Sequence, residues 1–547
     1  DINLTAAGHL TANAVRDIHL SELLGDMNIA KVTSTSGNVD LIVAMSILGR
    51  PGDFEADIVG NSISLTAIGG SIGAPAGDDL NVDSATSGAG KLTSQSHFNS
   101  YLHETAGDLT INQASSTLGT VFVDSSGRIL NGNLSGSNVL SGKTRLYASG
   151  DIGEALNPFK TTVGFLEGKS TSGKVWVHNY GDLIVGGVSD GADGITAFGS
   201  MSIAASSPIT VAETIQAGTI TITSTDSSDS GDDITVNSGV TVHSTAGKVI
   251  LQSGDNVILE SGSFVTAFGD VEIYGDFNDV VETVSAPRVG SIIDLHGTIT
   301  GTSVQVYGNS DDDLIIVPGI GVNTTIRTLE GNDRIFVGSN AIQTANSGGL
   351  MSGIDALLTI YGGPHGSGDS LILDDSGNTG AGGGTINTDT ITGFGMGGSI
   401  QFIEIENLGS ALGSGDNSVN ILATTTGITT TTTITGGNGN DTFNVSSDAP
   451  NNLGNLDGIR GHLVLVGGGG VNAINISDLS NTTGRSNVIV TDNSITGMTG
   501  DAGGSGAIEY SATGGFGGGI NITAGKAGDG ISITSLRDDS VTRVMGN

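Results

Sequence analysis

A short motif recurs along the chain and limits what the chain can fold into: a glycine, a polar residue, and then a segment that alternates apolar and polar positions. The alternation has the two-residue period of a β-strand with one buried face. The glycine and the polar residue suit a tight turn that leads into such a strand. Six copies are Gly25-Asp-Met-Asn-Ile, Gly37-Asn-Val-Asp-Leu, Gly107-Asp-Leu-Thr-Ile, Gly181-Asp-Leu-Ile-Val, Gly247-Lys-Val-Ile-Leu and Gly269-Asp-Val-Glu-Ile.

The spacing of these strands favours a stacked architecture. The strands recur at intervals of about 20 to 30 residues and are rich in Val, Ile, Thr and Asn. Small β-branched side chains fill the narrow core of a parallel β-solenoid, where each turn of the chain pairs with the turns above and below it. Helical periodicity is weak, and its best candidate, residues 14–24, equally suits two short strands. We therefore expect an all-β fold, a parallel β-solenoid with about 22 residues per turn.

The composition excludes several classes of protein. The 547 residues include 90 Gly and no Cys, and 56 acidic against 19 basic residues give a formal net charge of −37. The glycines have no three-residue period, which excludes collagen, and 36% of the residues are hydrophobic, too many for simple disorder. The acidic balance opposes binding to nucleic acid or an anionic membrane, and no apolar run reaches the ~20 residues that span a bilayer. We expect neither nucleic-acid binding nor membrane insertion, and no disulfide scaffold.

Longer repeats overlie the strands, and they divide the chain into two segments. Residues 1–300 repeat loosely with a period of about 75 to 80, whereas residues 301–547 contain an internal duplication of about 105 residues. The two copies are 304–408 and 409–512, and a third begins within 513–547 and stops. The strand-like start and the unfinished third copy predict that the chain is a section of a longer polypeptide.

The duplication rests on three pairs of related segments. Asn332-Asp-Arg-Ile-Phe-Val337 returns as Asn440-Asp-Thr-Phe-Asn-Val445, and Asp389-Thr-Ile-Thr-Gly393 returns as Asn493-Ser-Ile-Thr-Gly497. Ser352-Gly-Ile-Asp355 returns in the same way near residue 457. A unit of this size also suits tandem immunoglobulin-like β-sandwiches, which is the alternative fold. The glycine density, and the absence of a Trp or Tyr at equivalent positions in both copies, favour the solenoid.

The strand phrases of the first 300 residues resemble those of large bacterial exoproteins of the filamentous-haemagglutinin type. The resemblance is carried by phrases such as Asn61-Ser-Ile-Ser-Leu-Thr-Ala67 and Gly150-Asp-Ile-Gly153. It implies right-handed parallel β-helices that are secreted and displayed at the bacterial cell surface for adhesion. It covers more than half of the chain, through short and degenerate motifs.

A second, shorter resemblance lies in the C-terminal half. Gly436-Gly-Asn-Gly-Asn-Asp-Thr-Phe-Asn444 is similar, at every specified position, to the nonapeptide of RTX-type repeats, which bind Ca²⁺ between adjacent turns of a parallel β-roll. Calcium takes six to eight oxygen ligands, and related Gly, Asn and Asp phrases lie about 20 to 36 residues away. The alternative is turn chemistry alone. The resemblance implies that the candidate calcium-site residues are Gly437, Gly439, Asn440, Asp441, Asp333, Asp313, Asp369 and Asp416.

Catalysis is the weaker functional hypothesis. A polysaccharide-active β-helix of the lyase or tailspike type would bring carboxylates, His, Arg and aromatic residues from neighbouring turns into one groove. Fragments of a polygalacturonase-like pattern occur, such as Asn387-Thr-Asp389 and Gly231-Asp-Asp233, but in reversed order and without Gly-His-Gly. The nine histidines have no metal-binding spacing, and His103-Glu104 lacks the second histidine of a zincin helix. We therefore expect isolated surface histidines and no enzyme.

The first functional hypothesis is a structural or adhesive section of a giant secreted bacterial surface protein. Stacked strands would form an extended rod or filament, stabilised by Ca²⁺ if the RTX-like turns bind it. We expect self-association into filaments or bundles and contact with a glycan or another surface ligand. The third hypothesis is a calcium-responsive secreted β-roll module, which predicts that a chelator unfolds the protein.

Overall fold

The computed structural model describes residues 8–52, 54–75, 77–84, 90–191, 193–227, 231–278, 290–364, 368–426, 430–500 and 506–546. This part of the chain contains no helix and is 48% strand, and accordingly none of its segments is a helix able to cross a membrane. It forms two compact units. The first contains the described residues up to Glu272 together with Phe277 and Asn278, and the second contains Ile273–Asp276 and the residues from Gly290 onward.

The strands of the first unit, in chain order, are β1 (Leu10–Ala14), β2 (Ile18–Glu22), β3 (Met27–Ser34), β4 (Val39–Val43), β5 (Ile47–Leu48), β6 (Ile58–Val59), β7 (Ile63–Ala67), β8 (Leu80–Asp83), β9 (Leu92–Ser96), β10 (Ser100–Glu104), β11 (Leu109–Ser116), β12 (Thr120–Ser125), β13 (Ile129–Asn131), β14 (Val139–Leu140), β15 (Lys143–Ala148), β16 (Phe159–Thr162), β17 (Phe165–Ser170), β18 (Val175–Asn179), β19 (Leu183–Val185), β20 (Asp193–Ala197), β21 (Ser200–Ala205), β22 (Ile209–Val211), β23 (Thr214–Ala217), β24 (Thr219–Ser224), β25 (Ile234–Val236), β26 (Thr241–Ser244), β27 (Val249–Ser253), β28 (Val257–Leu259) and β29 (Phe264–Ala267). β30 (Val271–Tyr274) spans the division between the units.

The strands of the second unit are β31 (Ile292–Leu295), β32 (Thr298–Thr300), β33 (Val304–Asn309), β34 (Leu314–Val317), β35 (Thr324–Leu329), β36 (Arg334–Val337), β37 (Leu357–Tyr361), β38 (Ser370–Asp374), β39 (Gly383–Ile386), β40 (Thr390–Gly393), β41 (Ser399–Ile403), β42 (Asn407–Ala411), β43 (Ser418–Ile421), β44 (Thr431–Thr435), β45 (Thr442–Val445), β46 (His462–Val466), β47 (Ala473–Ser477), β48 (Val488–Val490), β49 (Ser494–Thr496), β50 (Ile508–Ser511), β51 (Gly519–Thr523), β52 (Ile531–Ile533) and β53 (Thr542–Met545).

The first unit is built from parallel strands that stack turn upon turn. Sheet a contains β2, β4, β7, β9, β11, β13, β14, β16, β18, β21, β24 and β27, and sheet b contains the other strands from β1 to β29. The chain passes through both sheets in each turn, which we call a rung. Paired residues are 18 apart at Phe159 and Val177 and 29 apart at Ile220 and Val249.

The core follows from the alternation along each strand. In β4 the side chains of Val39, Leu41 and Val43 are fully buried, and those between them are partly or wholly exposed. Strands on neighbouring rungs repeat this pattern in register, so Val39 pairs with Ile63 and Leu41 with Leu65. Each rung thus adds one layer of apolar side chains to a narrow core.

The recurrent turn motif has a physical explanation at the corners. In Gly107-Asp108 the carboxylate of Asp108 accepts a hydrogen bond from the backbone N–H of Arg128, one rung later, at 2.9 Å. Asp151 does the same for Lys174 at 2.8 Å. The glycines before these positions have two reasons: Gly107 has a φ of +75°, which a side chain disfavours, and a Cβ on Gly150 would lie 2.7 Å from Arg128 Cγ of the rung before it. At the corner between them, a Cβ on Gly127 would lie 2.0 Å from a carbonyl oxygen of the rung before it. The motif therefore encodes a stacked corner as well as a turn.

The second unit contains the same stacking, and its described residues include two places where a strand runs antiparallel to its neighbours. Sheet c joins β31, β34, β36, β38, β42, β44, β46 and β50 in parallel. Sheet d joins β33, β35, β37 and β41, and also β39, β43, β45, β47, β51 and β53. β40 lies antiparallel between β39 and β41 in sheet d, and β49 lies antiparallel between β48 and β50 in sheet c.

The related segments of the 105-residue duplication occupy opposite sheets. β36 contains Arg334–Val337 and lies in sheet c, whereas its counterpart β45, Thr442–Val445, lies in sheet d. Nine steps along the chain lead from β36 to β45, and two of them, β39 to β40 and β40 to β41, stay within sheet d. The other seven each change sheet, and an odd number of changes places β45 in the other sheet from β36. This exchange is not visible in the sequence, where the two copies look equivalent.

The all-β, parallel and repetitive architecture expected from the sequence is confirmed, and the helical candidate at residues 14–24 contains only β1 and β2. Parallel rung-to-rung pairing differs from the antiparallel sheets of an immunoglobulin-like sandwich.

Candidate functional site

The candidate calcium-site residues lie in the second unit at two separate sets of corners. Asp313, Asp333 and Asp369 each come just before a strand of sheet c. Asp441 comes just before β45 of sheet d. The duplication exchanges sheets, so the structure brings the first three together and places Asp441 elsewhere.

The three aspartates of sheet c form a continuous column, which we call the inner ladder of sheet c. Asp313 Oδ1 accepts from the backbone N–H of Ser291 at 2.7 Å, Asp333 Oδ1 from that of Asp313 at 2.8 Å, and Asp369 Oδ1 from that of Asp333 at 2.8 Å. All three side chains are buried, with exposures of 1%, 0% and 0%. Each carboxylate thus bonds to the corner of the preceding rung.

Asp441 belongs to a matching inner ladder of sheet d. Its Oδ1 accepts from the backbone N–H of Asn417 at 2.9 Å, and its own N–H donates to Asn472 Oδ1 at 3.0 Å. Asn417 Nδ2 also donates to the carbonyl oxygens of Gly415 at 2.8 Å and Gly436 at 3.0 Å. An amide therefore fills this position as well as a carboxylate does, and it supplies donors too.

An outer ladder runs beside each inner one. Asp416 Oδ1 accepts from the backbone N–H of Asn440 at 2.7 Å, and Asn440 Oδ1 accepts from that of Val471 at 2.7 Å. Asp416 and Asn440 are exposed, whereas Asp441 is buried. The inner side chains bond to the preceding rung and the outer ones to the following rung, so each corner is held from both sides.

The glycines of the RTX-like nonapeptide each have a steric reason. A Cβ on Gly436 would lie 2.3 Å from Asp441 Oδ2, and one on Gly439 would lie 1.9 Å from a carbonyl oxygen of the preceding rung. Gly437 has a φ of +98°, which a side chain disfavours. Stacked corners thus account for the specified glycines without a cation.

Burial shifts the titration of these carboxyls. Desolvation raises the pKa of Asp441 from 3.8 to about 6 and that of Asp333 to about 6. It raises the pKa of Asp313 well above 3.8, and the neighbouring Asp333 adds to the effect. The Oδ2 atoms of Asp313 and Asp441 are buried and accept no hydrogen bond from the described part of the chain. Across the described ranges, no group of three or more His, Asp or Glu residues is arranged to hold a metal ion, and calcium binding stays a prediction.

A different cluster lies on the outer surface of sheet b in the first unit. Its aromatic and charged side chains come from five neighbouring rungs, and we call it the aromatic face. The members are Asp79, Tyr101, His103, Phe122, Asp124, Arg145, Tyr147 and Lys169.

Register brings these residues together. Tyr101 pairs with Phe122 and Phe122 with Arg145, while in the next outward column His103 pairs with Asp124 and Asp124 with Tyr147. The rings of Tyr101 and Phe122 stack with centroids 4.8 Å apart and planes 3° apart. The strand period of two sends all of these side chains outward together.

Arg145 connects the two columns. Its guanidinium lies 4.8 Å from the Phe122 ring centroid and 4.5 Å from that of Tyr147. Its Nη2 atom is 3.6 Å from Asp124 Oδ2. Asp124 Oδ1 is buried and has no hydrogen-bond partner among the residues that the structure describes. Desolvation raises the pKa of Asp124 and of Asp79 above 3.8. The cluster is therefore closely packed, and it has carboxylate acceptor capacity that no donor in the described ranges uses.

The sequence interpretation missed this cluster and expected isolated histidines. His103 instead pairs in register with Asp124. The signal was present, because aromatic, charged and histidine residues recur at intervals of 21 to 23 residues in this region, close to the expected rung length. Recognising the cluster from the sequence requires knowing which residues pair across neighbouring strands, and the spacing of the strands alone does not give this register.

Comparison of the chain with protein-family models, with curated proteins and with solved structures finds no match.

Proposed function

We propose that this chain is a structural and adhesive section of a large secreted bacterial surface protein, similar to exoproteins of the filamentous-haemagglutinin type. Its stacked rungs, in the right-handed sense of that family, would build a rod or filament outside the cell. The role is mechanical and does not involve catalysis.

The observation that carries the proposal is the continuity of bonding from rung to rung within each unit. Backbone hydrogen bonds join parallel strands, and side-chain ladders add bonds at the corners. A further ladder of asparagines runs along sheet d: Asn444 Nδ2 donates to Asn420 Oδ1 at 3.1 Å, Asn475 to Asn444 at 2.9 Å, and Asn521 to Asn475 at 2.9 Å. Such repeated cross-links resist separation of the rungs.

An apolar ridge in the first unit supports self-association. Exposed side chains of Leu24, Met45, Ile68, Phe98 and Leu118 occupy the same corner of five successive rungs, with exposures between 45% and 78%. Backbone bonds join these corners, including Leu118 N–H to the His97 carbonyl at 2.9 Å.

A second copy of the chain is the partner that fits this ridge. Residues 44–46, 68–71, 97–99 and 117–119, which form four of the five corners, carry no Asp, Glu, Lys or Arg, whereas Leu24 at the first corner lies between Glu22 and Asp26. Two copies that each carry a net charge of −37 repel one another elsewhere, so an uncharged apolar strip is where they meet at the lowest electrostatic cost. The ridge is narrow, so each contact is weak and is strengthened by repetition along a filament.

Single-molecule stretching tests the mechanical role. A rung of about 22 residues that is pulled out adds about 75 Å of contour length. We expect extension in many such steps at high force. Steps of about 370 Å, which correspond to the unfolding of a whole repeat copy of about 105 residues at once, would contradict the proposal.

A further inference from the structure

The aromatic face borders a groove on the first unit. The groove has a volume of about 470 Å³, and its walls include His103, Asp124, Tyr147, Lys169 and Thr171. Small-molecule sites in proteins have volumes of about 300 to 1,000 Å³. The groove therefore has the size of a site for a ligand of one or two rings.

The lining mixes donors, acceptors and ring surface. Lys169 donates, Asp124 accepts, and the His103 imidazole and the hydroxyls of Tyr147 and Thr171 can do both. A ligand that matches this pattern has many hydroxyl groups of its own, together with C–H faces that lie against an aromatic ring. Saccharides combine these two properties.

The charge of the face argues against a polyanion. Asp124 faces Arg145, and beyond that pair the face holds Asp79 and Lys169, while the buried Glu167 pairs in register with Arg145 on the same side of the sheet. The face thus has no excess of positive charge, and it belongs to a chain with a net charge of −37, which repels polyanions over longer distances. A neutral ligand neither needs a positively charged face nor is repelled by the net negative charge of the chain.

Binding here needs little rearrangement of the protein. The stack of Tyr101, Phe122 and Arg145 fixes the side chains next to the groove before a ligand arrives. Residues held in place lose less conformational entropy on binding than mobile ones. The sheet beneath them is continuous from β10 to β17.

We propose that the aromatic face binds a neutral oligosaccharide, with its hydroxyl groups held by Asp124, His103 and Lys169 and a sugar ring lying beside Tyr147. This inference rests on the proposed adhesive function and names its ligand class.

The test is a printed array of neutral and acidic glycans probed with the whole chain, followed by calorimetric titration of the strongest binder. The double variant His103→Ala/Lys169→Ala leaves the aromatic and arginine stack in place, and we expect it to weaken binding about tenfold or more, because two direct contacts are lost. His243→Ala is the matched control: it removes an outward histidine from β26 of the same sheet, and we expect a change of less than about twofold.

Three results would overturn the inference. They are retention of acidic glycans only, no retention of any glycan, and equal loss of binding in the double variant and the His243→Ala control. The stretching experiment separates this failure from failure of the proposed function, because a chain that unfolds rung by rung and binds no sugar remains a scaffold. A chain that binds sugar and extends in steps of whole 105-residue copies would support the inference and refute the scaffold proposal.

Discussion

The inner ladder of sheet d makes a quantitative prediction for Asp441→Asn. Asp441 is 1% exposed, and its pKa is raised from 3.8 to about 6. A shift of about two units corresponds to about 3 kcal/mol. Since the folded protein binds the proton more tightly than the unfolded chain, this stability is fully present below pH 3.8 and is lost as the pH rises to about 6. At pH 8 the ionised carboxylate therefore destabilises the fold.

Asparagine removes that charge and keeps the bonding. Its Oδ1 can accept from the Asn417 N–H as Asp441 Oδ1 does at 2.9 Å. Its Nδ2 would reach the carbonyls of Gly437 and Gly439, the counterparts of the Gly413 and Gly415 carbonyls that Asn417 reaches at 3.3 and 2.8 Å. We expect Asp441→Asn to be more stable than the wild type by up to about 3 kcal/mol at pH 8, and equally stable at pH 4.

Urea unfolding at both pH values, in a chelator, measures the difference, and exchange of the Asn417 amide proton reports it locally. A variant less stable than the wild type at pH 8 in the chelator would refute the reasoning. Repeating the experiment with Ca²⁺ tests the calcium prediction, which requires that Ca²⁺ stabilises the wild type and leaves the variant unchanged.

Three further changes test the corners, the buried acids and the ridge. Gly127→Ala places a Cβ 2.0 Å from a carbonyl oxygen, and we expect it to lower the free energy of unfolding by about 1–3 kcal/mol in thermal or urea unfolding. Gly25→Ala, whose Cβ would have no described atom within 4 Å, is the control, and we expect it to leave the stability nearly unchanged. Burial raises the pKa of Glu104 from 4.5 to about 7, so stability falls as the pH rises through that range; Glu104→Gln should remove this dependence and add about 3 kcal/mol at pH 8, and an unchanged pH profile would count against it. Leu118→Glu should reduce self-association in sedimentation velocity, whereas Leu134→Glu, at a position that is 87% exposed and away from the ridge, should not; equal effects would exclude the ridge as the interface.

The strands and corners were predictable because their causes are local. Alternation in segments such as Val39–Val43 specifies the buried face, and a glycine followed by Asp108 or Asp151 specifies a corner. The rung length was predictable from the sequence as well, since it equals the spacing between the turn motifs. Even residues 14–24, with the best helical pattern, could be interpreted as two strands.

The candidate site was only partly predictable because it depends on register and on the count of strands. The sequence grouped Asp313, Asp333 and Asp369 with Asp441 as candidate calcium-site residues, and the structure stacks the turns of the first three as neighbouring corners. The sequence did not show that the chain changes sheet an odd number of times between the two copies, which places Asp441 at the other sheet. The aromatic face was missed for a related reason, because residues 21 to 23 apart become neighbours only when each rung has that length.

The stacked register is the central claim, and the absence of cysteine from the chain allows a clean test of it. Ser202 on β21 pairs with Thr221 on β24, one rung later, and both side chains are half-buried on the outer surface. Directly paired Cα atoms on adjacent strands lie about 4.8 Å apart, within the range of roughly 4.4–6.8 Å that a disulfide spans, whereas positions displaced by two residues lie about 8 Å apart. We predict that Ser202→Cys/Thr221→Cys forms a disulfide under mild oxidation, detected by peptide mass mapping, and that Ser202→Cys/Thr223→Cys does not. Failure of the first pair to cross-link, or equal cross-linking of both pairs, would contradict the stacked-rung architecture.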